Sequence, residues 1–159
     1  MTTLALDLGT KTGWAVWRPC HVVSQRIIAS GTWDLKPKRD DSSGMRFIYF
    51  RGKLRAMREA YPDIRHVVYE AVARHAGTHA AHVYGGFQSH LTTWCHENKV
   101  SHQGVPVGTL KKWATSTGNA NKAAMVVSAR AQTGLDIADD NEADAVLLAL
   151  YAAEQEPGR

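Results

Sequence analysis

Cysteine is scarce in this chain: Cys20 and Cys95 are the two present, far apart and without metal-ligand spacing. That excludes a disulfide framework and a cysteine-built zinc site, and it leaves both residues as packing thiols. No apolar run is long enough to cross a bilayer. The opening MTTLALDLG lacks a basic segment and meets Asp7 early, so neither a signal peptide nor an anchor is expected and a cytoplasmic location is. Internal repeats and low-complexity tracts are missing as well, which excludes solenoids and fibrous classes. An acidic excess is also absent. Lys and Arg number 19 against 15 Asp and Glu, a net charge of +4 that suits a polyanionic partner without identifying one. What remains is ordinary for a globular protein, 44% hydrophobic and 21% charged. Residues 1–159 therefore read as one domain.

The element order follows from periodicity. Apolar runs at 3–8 and 13–17, separated by Gly9, Thr10, Lys11, Thr12 and Gly13, predict two strands joined by a tight turn. A third strand is expected from Val22 to Trp33, before the polar loop LKPKRDDSSG. From Ser43, Phe47, Phe50, Leu54 and Met57 recur at helical spacing among Arg and Lys, and Tyr61-Pro62 ends the run. HVVYEAV reads as a buried strand. A helix from Thr78 to Asn98 is expected to turn Ala80, Val83, Phe87, Leu91 and Trp94 inward, with Gly85-Gly86 marking a close approach of another backbone, such as a second subunit, or a local kink. A strand at Val100–Val107, a short helix at GTLKKWA, and helices from Lys122 to Gln132 and from Asp140 to Ala153 complete the chain. Three antiparallel strands, then alternating helices and strands, give a mixed five-stranded α/β sheet flanked by helices.

Three carboxylates stand out on these elements. Asp7 ends the first apolar strand, Glu70 follows Val67, Val68 and Tyr69, and Asp144 sits among Ala143, Ala145 and Val146 in the last helix. Asp140 precedes Asp144 by four residues and so shares its face, while Glu142 points elsewhere. An unpaired buried carboxylate is costly, and several together repel unless divalent cations stand between them. Hard oxygen donors favour magnesium or manganese, and a pair of such ions can clamp the attacking and leaving oxygens of a phosphodiester. The pattern therefore points to metal-dependent cutting of nucleic acid. Blander roles stay open for each acid: Asp7 as a turn residue bonding the Gly9-Thr10 amides, Glu70 paired with Arg74 or Arg65, Asp140 as a helix cap, Asp144 in an interhelical ion pair.

Basic and imidazole side chains add a second layer. Lys111 and Lys112 lie in a short helix, and Gly118-Asn119-Ala120-Asn121-Lys122 turns into the next one, presenting amides and an ammonium to phosphate. Solvated surface charges and an ordinary cap at Asn119 are the alternative. His75, His79 and His82 resemble a zinc stripe in spacing, but Gly77 and Thr78 place the helix start between them and no fourth ligand accompanies them. With Arg74, these histidines are expected to line a nucleic-acid groove beside Glu70, a solvated face being the alternative. Trp14, Trp17 and Trp33 are expected in the core or at a subunit surface.

Taken in order, LALDLGTKTGWA, HVVYEAV, GVPVGTLKKWATSTGNANKAAM and NEADAVLLALYAA resemble, over nearly the full length, the segments of RuvC-type Holliday junction resolvases, particularly compact phage and prophage forms. The resemblance implies an RNase H-like fold, a homodimer, two Mg2+ ions per active site with Mn2+ able to substitute, and paired cuts across a four-way DNA junction in a bacterial host's cytoplasm. It implies Asp7, Glu70 and Asp144 as metal-binding acids and Lys111 and Lys122 near the scissile phosphate. The family's usual fourth ligand falls here on Asn141, a poorer Mg2+ ligand, with Asp140 the candidate replacement. The aromatic residue that stacks at the junction centre is replaced by Ala71-Val72-Ala73-Arg74-His75. The working assignment is thus catalytic Asp7, Glu70, Asp140, Asp144 and Lys122, with Arg74, His75, Lys111, Lys112, Asn119 and Lys122 toward DNA, and no nucleotide cofactor or membrane partner. Sugar kinases and actin-like ATPases share the opening Asp-x-Gly-Thr motif, but they need two such domains. A non-catalytic branched-DNA binder and a monomeric ribonuclease of the same fold are the remaining rivals.

Overall fold

The computed structural model describes residues 2–19 and 26–155. Cys20 and the expected start of the third strand at Val22 lie outside them. Within the described residues the elements are β1 (Thr2–Asp7), β2 (Lys11–Arg18), β3 (Arg26–Asp34), α1 (Met45–Ala60), β4 (Ile64–Ala71), α2 (Thr78–Glu97), β5 (Ser101–Pro106), α3 (Val107–Thr115), α4 (Lys122–Thr133) and α5 (Asp140–Gln155). They form a sheet of order β3-β2-β1-β4-β5. The first three strands are antiparallel, and β4 and β5 run parallel to β1, as the element order predicts.

The first hairpin closes through its own turn. The Thr12 hydroxyl donates to the Gly9 carbonyl at 2.6 Å, and the Leu35 amide donates to the Thr10 carbonyl at 2.8 Å, which pins the turn to the end of β3. Side chains alternate along each strand, and the alternation divides the core in two. Leu4, Leu6, Val67 and Tyr69 pack under α1 and α2 with Phe50, Leu54, Phe87 and Leu91. Ala5, Ala15, Val68 and Val105 face the other way, against Val146, Leu147 and Leu150 of α5 and Met125 of α4. Nearly every residue from Ala143 to Leu150 is buried, so α5 is a core helix, apolar on all sides once past its first turn.

Two expectations change in α2. Tyr84 replaces Ala80 on the buried face, its hydroxyl bonded to the Glu70 carbonyl near the end of β4; Val83 is half-buried and Ala80 is exposed. The glycine pair serves a side chain of the same molecule. A Cβ on Gly86 would stand 2.3 Å from the Phe47 ring of α1, whereas one on Gly85 would meet nothing within 4 Å. Phe47 in turn packs edge-on against Phe87 at 5.1 Å. Close approach is therefore real at Gly86, with an intramolecular ring as the neighbour instead of a second backbone.

The three strand tryptophans belong to the core: Trp17 and Trp33 are buried, and Trp14 stacks on Trp33 at 5.9 Å. Cys95 is a buried free thiol pushed up to about 12 by burial, in keeping with a packing role. No helix among the described residues is long and apolar enough to cross a membrane.

Candidate active site

Strand parity places the first two acids. Asp7 lies two residues beyond Ala5 and Glu70 two beyond Val68, so both turn to the α5 side of the sheet. Register completes the meeting. Leu6 stands beside Tyr69 in the parallel pair β1–β4, and one further step along both strands brings Asp7 next to Glu70. Both lie at the carboxyl ends of their strands, the edge where ligands bind in open α/β sheets. The two carboxyls interact directly, side chain to side chain.

The start of α5 reaches this edge because β2 has a glycine there. Gly13 is the register partner of Asp7, and a Cβ on it would stand 1.8 Å from the Asn141 carbonyl oxygen. The first turn of α5 thus rests directly on strand backbone beside Asp7. Two further acids lock it in place. Asp139 accepts the Glu142 amide at 2.9 Å and the Thr32 hydroxyl at 2.8 Å, while buried Glu142 accepts the Ser30 hydroxyl at 2.7 Å and the Ala138 amide at 2.7 Å. Capping therefore falls to Asp139, which leaves Asp140 free to pair with Lys122 at the start of α4. Asn141 bonds back to Asp139.

Electrostatics ties the four acids together. Burial first, then Glu70 and Asp144, holds the Asp7 carboxyl well above the usual carboxylate range. Burial likewise raises Glu70, with Lys111 pulling the other way. Asp144 is pushed up to about 7 by burial, Glu70 and Asp140, against the opposing pull of Lys111 and Lys122. Its Oδ1 is buried and has no hydrogen-bond partner. An orphaned carboxylate oxygen among mutually repelling acids, all hard oxygen donors, is a donor set suited to a divalent cation. The acids do not form a closed cage: among the described residues no three His, Cys, Asp or Glu side chains stand as a preformed ion site.

The blander roles weighed for Asp7, Glu70 and Asp140 fall elsewhere. Thr12 bonds the Gly9 turn, and Arg65 donates to the Pro62 and Ile64 carbonyls. Lys111 and Lys122 come to the acids from α3 and α4, whereas Lys112 and Asn119 are exposed and Asn121 caps α4 through a 2.9 Å bond from the Ala124 amide. Arg74 and His82 are exposed, and the His75 ring lies 4.9 Å from that of Tyr84. The sequence reading overlooked Gly13, Asp139 and Tyr84. A buried hydroxyl at Tyr84 donates to the Glu70 carbonyl at 2.8 Å and accepts the Val72 amide at 3.2 Å, which fixes the backbone around Glu70. The signal for Gly13 was a glycine inside a strand, a mark of close backbone approach.

No protein-family model matches the sequence, and no curated protein matches it either. Solved structures do. A Thermus thermophilus RuvC in complex with Holliday junction substrate superimposes with a TM-score of 0.80 at 17% identity, over 97% of this chain and 96% of that one. A second Thermus thermophilus RuvC structure gives 0.72 at 20% identity, over 94% and 92%. The yeast mitochondrial Holliday junction resolvase Ydc2 gives 0.67 at 12% identity, over 92% and 75%. From the mixed sheet, its helix cover and these superpositions, the chain has the RNase H-like fold of the RuvC-type resolvases.

Proposed function

We propose that the protein is a divalent-cation-dependent endonuclease that cuts branched DNA, four-way junctions above all. The observation that carries this reading is the gathering of Asp7, Glu70, Asp140 and Asp144 at the carboxyl edge of the sheet, with the buried unbonded Oδ1 of Asp144 among them. Negative charge concentrated beside lysines is useless to a protein that merely holds phosphates, and it is what magnesium-assisted hydrolysis needs. Asp7, Glu70, Asp144 and Asp140 would hold Mg2+, two ions in the fullest occupancy and Mn2+ in its place, and the bound cation would supply charge neutralisation and an activated water.

The chain's own residues do the rest. Lys111 acts on Glu70 and Asp144, and Lys122 pairs with Asp140 and acts on Asp144, so a phosphate arriving at the acids would meet two ammonium groups. Tyr84 holds the Glu70 backbone, and the Asp139–Thr32 and Glu142–Ser30 bonds hold the start of α5. The carboxylates are thus oriented before substrate arrives. Symmetric paired nicks across a four-way junction need two such sites, so we read the working unit as a homodimer.

Incubation of the protein with labelled four-way junction, linear duplex and RNA–DNA hybrid in Mg2+ tests the reading. Paired cuts in the junction are expected, lost by about a hundredfold or more in Asp7→Asn, Glu70→Gln and Asp144→Asn with junction binding retained. A gel shift without cutting would leave the binder as the better account, and cutting of the hybrid alone would leave the ribonuclease.

A further inference from the structure

A cleft of about 370 Å³ opens on the opposite side of the sheet from α5, immediately behind the acids. Its floor is apolar, made by Leu8, Val72 and Val83, and its rim carries Arg46, His75 and His79. None of the described residues that line it is acidic. Arg46 is set across the hairpin turn, its guanidinium donating to the Thr10 hydroxyl at 3.3 Å and to the Ser43 carbonyl at 3.1 Å, and among the described residues none of its hydrogen bonds goes to a carboxylate. The back wall is Tyr84, whose hydroxyl holds the Glu70 carbonyl and the Val72 amide. The cleft and the acid cluster therefore share two stretches of backbone: Asp7 leads into Leu8-Gly9-Thr10, and Glu70 leads into Val72.

We infer that this cleft is a subsite for one unpaired nucleotide of bound DNA, its base on the Leu8, Val72 and Val83 floor against the His75 ring, and its phosphate at Arg46 and His79. An apolar floor under a rim that carries the Arg46 guanidinium and two imidazoles matches the two halves of a nucleotide, a flat face and an anion. Paired bases are stacked inside a duplex and cannot enter. Occupancy selects DNA with a base out of the stack, and it places that base within a few residues of Asp7 and Glu70. The choice of DNA as the ligand rests on the nuclease reading.

The test measures fluorescence anisotropy of a matched duplex and of the same duplex carrying one unpaired thymidine, in EDTA, with the full-length protein. Ala80→Trp fills the cleft from an exposed position on α2, and Arg46→Gln removes the rim charge. Wild type is expected to prefer the unpaired-nucleotide DNA, and each substitution to weaken that complex by about tenfold while changing duplex binding little. A parallel loss on both DNAs, no loss on either, or no preference in wild type would overturn the subsite. Cutting in Mg2+, scored separately, keeps the two readings apart. Activity in wild type with a preference untouched by both substitutions would sink the subsite alone. A preference abolished by both substitutions in a protein that cuts no DNA would keep the subsite and remove the nuclease.

Discussion

Asp144 shows how a single residue carries both a cost and a use. Its carboxyl is pushed up to about 7, chiefly by burial and then by Glu70 and Asp140, whereas in an unfolded chain an Asp titrates near 4. Between those values the folded protein binds more protons than the unfolded one. Stability in the absence of divalent cation is therefore fully present below about pH 4 and lost as pH rises through about 7, a slope to which raised Asp7 and Glu70 contribute in the same direction. A melting series in EDTA should show Tm falling across that window, and Asp144→Asn should flatten the fall and raise Tm at pH 8 by about 2–4 °C per kcal/mol recovered. Added Mg2+ should raise Tm more at pH 8 than at pH 5, because cation and proton compete for the same oxygens. A Tm that climbs from pH 5 to 8 in EDTA would show that these acids are not strained by their neighbours.

Elements meet at the site through backbone more than through side chains. Gly13 lets α5 lie on β2, and its replacement by Ala forces a Cβ into the Asn141 carbonyl, a backbone atom that moves only if the helix start moves. Gly13→Ala should cost about 1–3 kcal/mol, as overpacking does, and should lower cutting far more than an equally destabilising change elsewhere. A variant that is destabilised yet fully active would mean that α5 need not sit there. Elements of this kind were readable where period and burial agree: the β1–β2 hairpin, β4 and α5 all follow from alternation or from an unbroken apolar run. Ala80 and Tyr84 exchanged places because helical spacing fixes a face only to within a residue, and the Tyr84 hydroxyl finds its acceptor at the Glu70 carbonyl. Likewise Asp139 and Asp140 are indistinguishable as caps in a string of acids. Only the hydroxyl of Thr32, brought from another strand, decides between them.

At the scale of the whole molecule, +4 is a weak signal, and the arrangement matters more than the sum. Lys111 and Lys122 act on the acids, and Arg46 lines the cleft behind them, so cations stand on both faces near the carboxyl edge of the sheet. Lys122→Ala should weaken DNA binding with a salt dependence shallower by about one phosphate contact, since each neutralised phosphate contributes about 0.9 to the slope. An unchanged slope would remove Lys122 from the contact surface. The three leading acids and the strand order were legible because each acid ends or interrupts an apolar run, a place where a charge needs a reason. The cleft was not, since it is assembled from the β1–β2 turn, α1, the loop after β4 and α2, which share no local pattern. The central claim is that Asp7, Glu70, Asp140 and Asp144 gather divalent cation. Titration of the purified protein with Mn2+, read by calorimetry at pH 7.5 in the absence of DNA, tests it most directly. The account predicts saturable uptake that is lost or sharply weakened in Asp7→Asn and Asp144→Asn. No uptake, or uptake indifferent to both substitutions, would contradict it.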